Sequence, residues 1–199
     1  MVAVGVRALI WGGLAAIGAW AVFRRGPWLG TPDAPPPAVA VAAAVAGGIL
    51  VGWAVRQGQG WLALALVAAV AAAVADLTAR IIPHRWVLAM VLAGLGQMAA
   101  GIVPAGSTLA AGLGIGGFLL VVHLLSRGGL GLGDVKLGLG MGLALGWPHA
   151  VTALIWGLWL GGAVSAWLLL TRRGRAGRTT VPLGPFLAAG MIGVAVFAG

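Results

Sequence analysis

The sequence predicts an all-α protein, a polytopic membrane helical bundle of about eight transmembrane segments. Composition is the first reason: 61% of the 199 residues are hydrophobic and 8% charged, with a mean hydropathy of +1.09, outside the range of a soluble domain with a polar surface. Patterning is the second: the apolar residues fall into eight runs near the roughly 20 residues a helix needs to cross about 30 Å of hydrocarbon. The third is where the charges stand. The formal charge of +9 comes from twelve cations placed in short breaks between the runs. A phosphate-tracking surface would gather them on one amphipathic face, so the pattern points to membrane orientation and away from nucleic acid.

In chain order the runs are 2–23, 38–55, 61–80, 86–103, 108–125, 130–147, 150–170 and 181–197. The first is not read as a cleaved signal peptide, because Arg24 and Arg25 follow its apolar stretch and do not precede it. A Pro-rich linker, 32–37, carries Asp33 and leads into the second run. If all eight cross, alternate loops share a side. One side then collects Arg24, Arg25, Arg80, Arg85, Arg127, Lys136, Arg172, Arg173, Arg175 and Arg178, and the other keeps only Arg7 and Arg56. Ten cations against two make the richer side the cytoplasm, with both chain ends outside. The expected division is 1–60, N-terminal transmembrane helices with a short cytoplasmic linker, and 61–199, a membrane domain with a six-helix core.

The acids narrow the chemistry. There is no glutamate, and the three aspartates are Asp33, Asp76 and Asp134. The last two adjoin apolar segments, where an ionised carboxylate at mid-depth costs about 2.5 to 3.5 kcal/mol on insertion scales. The apolar stretch 61–75 is too short at about 1.5 Å per residue to span the core, so its helix should run on through Asp76 to Arg80. The stretch 137–146 has the same deficit unless residues from Leu130 onwards join it. Both acids then stand about one turn below the cytoplasmic surface.

Three motifs surround this pair. Gly131, Gly133, Asp134, Val135, Lys136 and Leu137 form a GxGDxKL stretch whose glycines remove bulk beside a carboxylate, so that a helix or an extended peptide can approach. Lys136 can snorkel to the interface. After Asp76 the chain reaches Ile82 and Pro83, and the proline should end the helix and open backbone near the acid. Late in the chain, Pro182, Leu183, Gly184 and Pro185 make a non-helical break, tolerated at membrane depth only where protein or water lines it. Two nearby carboxylates in a poorly solvated site should share a proton and so supply an acid and a base for water attack on a carbonyl.

Taken in this order, the motifs resemble the type IV prepilin peptidase family, GxGD aspartic peptidases of the bacterial inner membrane. The resemblance covers about Trp61 to the end of the chain. It implies catalytic Asp76 and Asp134, substrate binding around Gly131, Gly133, Pro182, Gly184 and Pro185, and removal of a basic leader from prepilin-like proteins at the cytoplasmic face of the bilayer. It implies no metal and no cofactor. Many members carry a cytoplasmic insert with paired CxxC elements and an N-methyltransferase activity. Here the interval 24–37 is short and the chain has no cysteine, which indicates a peptidase-only form. The missing cysteines also exclude disulfides, thiolate metal sites and thiol nucleophiles.

Other readings use the same residues. Asp76 and Asp134 could be relay groups of a small proton- or cation-coupled transporter, with the proline break as a discontinuous helix, or structural partners in an inactive scaffold. Asp76 and Asp134 lying near one face, not along a path, favour the peptidase. The histidines are isolated: His84 reads as an interfacial residue, His123 as helix packing and His149 as part of an outer turn. The glycine-rich run 112–117 reads as close helix packing, since no βαβ context supports a nucleotide site. The ten tryptophans suit interfacial belts or helix packing.

Overall fold

The computed structural model describes residues 35–127, 129–171 and 181–198, together with Gly13 and Ile17. The described residues form seven α-helices: α1 (Pro37–Arg56), α2 (Gly60–Ala79), α3 (His84–Ala99), α4 (Ala105–Leu125), α5 (Leu132–Leu145), α6 (His149–Thr171) and α7 (Gly184–Ala198). They follow the expected runs in order from the second to the eighth. Apart from Gly13 and Ile17, the first run, 2–23, lies outside the described residues, as do Asp33 and the arginine cluster 172–178.

Four of these helices, α1, α2, α4 and α6, are long and apolar enough to cross a membrane. The other three are shorter than expected, at 16 residues for α3, 14 for α5 and 15 for α7. Backbone breaks set their ends. The α5 helix starts only at Leu132 because Gly131 is extended at φ −68° and ψ 141°, and it stops at Gly146, whose φ of +67° leaves the helical region. At about 1.5 Å per residue it rises about 21 Å, less than the hydrocarbon thickness. Such a helix is tolerable in a membrane protein because other helices surround it.

Two helices form the inside of the bundle. The α2 helix packs against α1, α3, α5 and α7, and α5 packs against α2, α3, α4, α6 and α7. Their sequences explain the placement. Ala63, Ala65, Ala68, Ala69, Ala71, Ala72 and Ala75 are all buried along α2, so neighbours approach it from several sides. On α5 glycine goes further: a Cβ built at Gly142 would stand 2.6 Å from the Ala111 carbonyl oxygen and 2.7 Å from the Gly112 Cα, so α4 and α5 meet backbone to backbone. The 112–117 run is accordingly helical, with Gly112 facing Leu143 and Gly116 facing Leu139. By contrast α6 is mostly outward, exposing Trp156, Trp159, Trp167 and Leu170 as a lipid-facing surface requires.

Hydrogen bonds mark the two ends of the bundle. At one end the Gln97 side-chain amide donates to the Ala144 carbonyl at 2.7 Å, and the Ser107 hydroxyl donates to the Trp147 carbonyl at 2.9 Å. At the other end the last turn of α2 meets the first turns of α5 and α7. Arg80, Arg85, Arg127 and Lys136 all belong to this second end, which gathers the described cations of the richer side.

Candidate catalytic site

Asp76 lies in the last turn of α2, with 7% of its surface exposed. The helix ends when Arg80 takes the left-handed conformation, φ 54° and ψ 35°, and donates its backbone N–H to the Asp76 carbonyl at 2.9 Å. The end thus comes ahead of Pro83, which instead caps the start of α3. A proline ring at position 83 would collide with a helical carbonyl four residues earlier, so the helix cannot run much past Ala79 in any case. The guanidinium of Arg80 lies within electrostatic range of the Asp76 carboxylate.

The late proline motif reaches the same carboxylate. Val181, Pro182 and Leu183 are non-helical, whereas Gly184 and Pro185 already belong to the first turn of α7, so the break is narrower than the sequence suggests. Pro185 fits there because first-turn N–H groups have no intrahelical acceptor. Phe186 and Leu187 donate to the Leu183 carbonyl at 3.0 and 3.1 Å and close the turn. The orphan N–H of Gly184 donates to Asp76 Oδ2 at 3.0 Å, a buried bond between residues 108 positions apart. Only glycine fits at this distance, since a Cβ there would sit 2.7 Å from the same oxygen.

Asp134 is the third residue of α5, in its first turn, and is half-buried. Its backbone N–H donates to the Gly131 carbonyl at 3.1 Å, and its carboxylate lies beside Gly131. Lys136, two residues on, is exposed. Asp134 also feels the charge of Asp76 directly. The two acids, 58 positions apart by number (134 less 76), are electrostatic neighbours where α2, α5 and α7 converge.

The remaining motif residues are distributed as follows. Gly131 is exposed and a Cβ on it would stand 3.1 Å from Asp134 Oδ2. Gly133 faces Ile82, 3.2 Å from a built Cβ to the Ile82 Cβ, so it lets α5 settle against the segment that follows α2. Pro182 is half-buried in the extended approach to α7. The sequence offers Ile82 only as the apolar residue before Pro83 in the stretch after Asp76, without its contact to Gly133. His84 and His149 are exposed at helix starts. Among the described residues, no three His, Cys, Asp or Glu side chains converge as a metal site would need.

A sequence model of the type IV leader peptidase family matches residues 62–166, more than half of the chain. The chain belongs to the type IV leader peptidase family. It is therefore a peptidase, built as a helical membrane bundle. The match to the leader peptidases includes Asp76, Gly131, Gly133 and Asp134 and ends before Pro182, Gly184 and Pro185. Gly184 nevertheless folds back onto Asp76. Neither the curated proteins nor the solved structures compared with the chain gave a match.

Proposed function

We propose that this leader peptidase is a GxGD-type aspartic endopeptidase in which Asp76 and Asp134 act as a dyad to remove the basic leader of prepilin-like proteins at the cytoplasmic face of the bacterial inner membrane. The observation that carries the reading is that the only two aspartates of the chain adjoining apolar segments lie at the same end of the bundle, where α2, α5 and α7 pack together, with the Asp76 carboxylate held by the Gly184 amide. The dyad holds one proton between its carboxylates. The ionised member takes a proton from a water molecule, whose oxygen attacks the scissile carbonyl carbon, while the protonated member gives its proton to the carbonyl oxygen. The resulting gem-diol collapses, its C–N bond breaks, and the leaving nitrogen takes a proton from the dyad. No covalent intermediate is required.

Peptide hydrolysis needs an extended backbone. In this reading Gly131 and the 181–183 segment leave room beside the acids for the unwound leader, with Gly133, Pro182, Gly184 and Pro185 shaping the walls. The cytoplasmic assignment rests on the excess of cations at the Asp76 and Asp134 end. The absence of cysteine supports a peptidase-only form.

The test is to reconstitute wild type, Asp76→Asn and Asp134→Asn in vesicles and supply a prepilin-like peptide with a basic leader. Each variant should lose at least about a thousandfold in cleavage rate. Full cleavage by either variant would remove that aspartate from the mechanism. Proton or cation flux by wild type, abolished in both variants and unaccompanied by cleavage, would establish the transporter reading instead.

A further inference from the structure

The loop between α4 and α5 is tied at one residue from both sides. The Leu130 N–H donates to the Ser126 hydroxyl oxygen at 3.2 Å, and that hydroxyl donates to the His123 carbonyl at 3.1 Å. The Leu130 carbonyl faces His123 Nδ1 at 2.6 Å. A carbonyl oxygen only accepts, so Nδ1 must carry the proton. The peptide group that His123 holds is the Leu130–Gly131 peptide, which leads straight into the Asp134 turn: the Gly131 carbonyl accepts the Asp134 N–H at 3.1 Å, and a Cβ built on Gly131 would stand 3.1 Å from Asp134 Oδ2. A trans peptide is planar with C=O and N–H pointing in opposite directions. Fixing the carbonyl therefore fixes the plane of the peptide from which Gly131, and with it the first turn carrying Asp134, continues.

We infer that His123 is a positioning residue for Asp134, acting through the Leu130–Gly131 peptide, and not the helix-packing residue its place in an apolar run suggests. Its side chain is half-buried at the end of α4 and spans seven positions to reach the loop. Ser126 completes the tether by holding the N–H of the same residue, so Leu130 is clamped at both of its backbone polar groups.

The inference rests on Asp134 being a member of the dyad, and the experiment separates the two. In the full chain in vesicles, His123→Ala should lower kcat about tenfold and leave KM within about twofold, as expected when one hydrogen bond that orients a reacting group is lost. His123→Asn, whose side-chain N–H can reach a similar position, should restore most of kcat. A fall in KM and kcat together in both variants, or no change in kcat for His123→Ala, would overturn the positioning role. Nitrogen NMR of histidine-labelled wild type gives a readout that does not depend on cleavage: His123 should be protonated at Nδ1, and an imidazole protonated only at Nε2 would refute the tether. If Asp134→Asn cleaves normally the dyad reading falls, whereas the Nδ1 proton would still report the His123–Leu130 bond.

Discussion

The two acids sit at opposite polarities of the helical backbone and are secured by different means. Asp76 occupies the carbonyl end of α2, is buried, and takes its amide donor from a helix that begins 108 positions later. Asp134 occupies the amide end of α5, is half-buried, and lies against Gly131 three residues before it, whose carbonyl accepts its N–H at 3.1 Å. The amide end of a helix suits a carboxylate and the carbonyl end does not. Bringing the N-terminus of α7 against Asp76 supplies there the donor that α2 cannot. Presentation of Asp134 is thus a local property of one helix start, whereas presentation of Asp76 depends on how α7 docks.

That contrast can be broken first at Gly184. After the loss expected for the Asp→Asn variants, the largest effect should come from Gly184→Ala, because the new methyl group would stand 2.7 Å from Asp76 Oδ2 and 3.2 Å from its Cβ and Cγ. Either the carboxylate or the start of α7 must move, and a displacement near 1 Å at a reacting group costs about a hundredfold in rate. Single-turnover cleavage of a prepilin-like peptide reads this directly. Gly131→Ala is the matched change beside the other acid and should cost only a few-fold. Its backbone, φ −68° and ψ 141°, is open to any residue, and the 3.1 Å neighbour is the far end of a side chain that can turn. Equal losses in the two variants would show that Asp134 is as dependent on distant packing as Asp76.

The order of the helices and the end at which Asp76 and Asp134 lie were legible in the sequence, because both follow from the lengths of apolar runs and the charges between them. Three particulars were not. The α2 helix ends at Arg80, where the apolar run placed its end, but the means, a left-handed turn by a non-glycine residue, is one that propensity does not announce. The Gly184–Asp76 bond needs the docking of α7 on α2, and sequence reasoning could place both residues on one side of the membrane without pairing them. Gly133, read as clearance for a substrate, faces Ile82, a contact that appears only when α5 packs on the segment after α2. The role of His123 was hidden for the same reason, since its partner is a backbone carbonyl in a loop. Apart from the local turn at Arg80, the missing information is tertiary, and it concerns a backbone polar group or a glycine, which carry little pattern of their own.

The smallest expected effect tests whether the opposite end of the bundle is independent of the chemistry. Gln97 is 4% exposed and its side-chain amide donates to the Ala144 carbonyl at 2.7 Å. That carbonyl lies in the last turn of α5, where the residue four positions on is Pro148, which has no N–H to give. Gln97 therefore supplies a donor that the chain itself cannot. Gln97→Leu keeps the volume and leaves the carbonyl unpartnered, which should lower stability by about 1 kcal/mol, in the range measured for hydrogen bonds between membrane helices. Denaturant or thermal unfolding in detergent would read the loss. Cleavage should stay within about twofold, because a single hydrogen bond at the far end does not reorient the turns carrying Asp76 and Asp134. A large fall in kcat with an unchanged unfolding midpoint would show that α5 transmits strain along its whole length to Asp134, and the two ends would then have to be treated as one coupled unit.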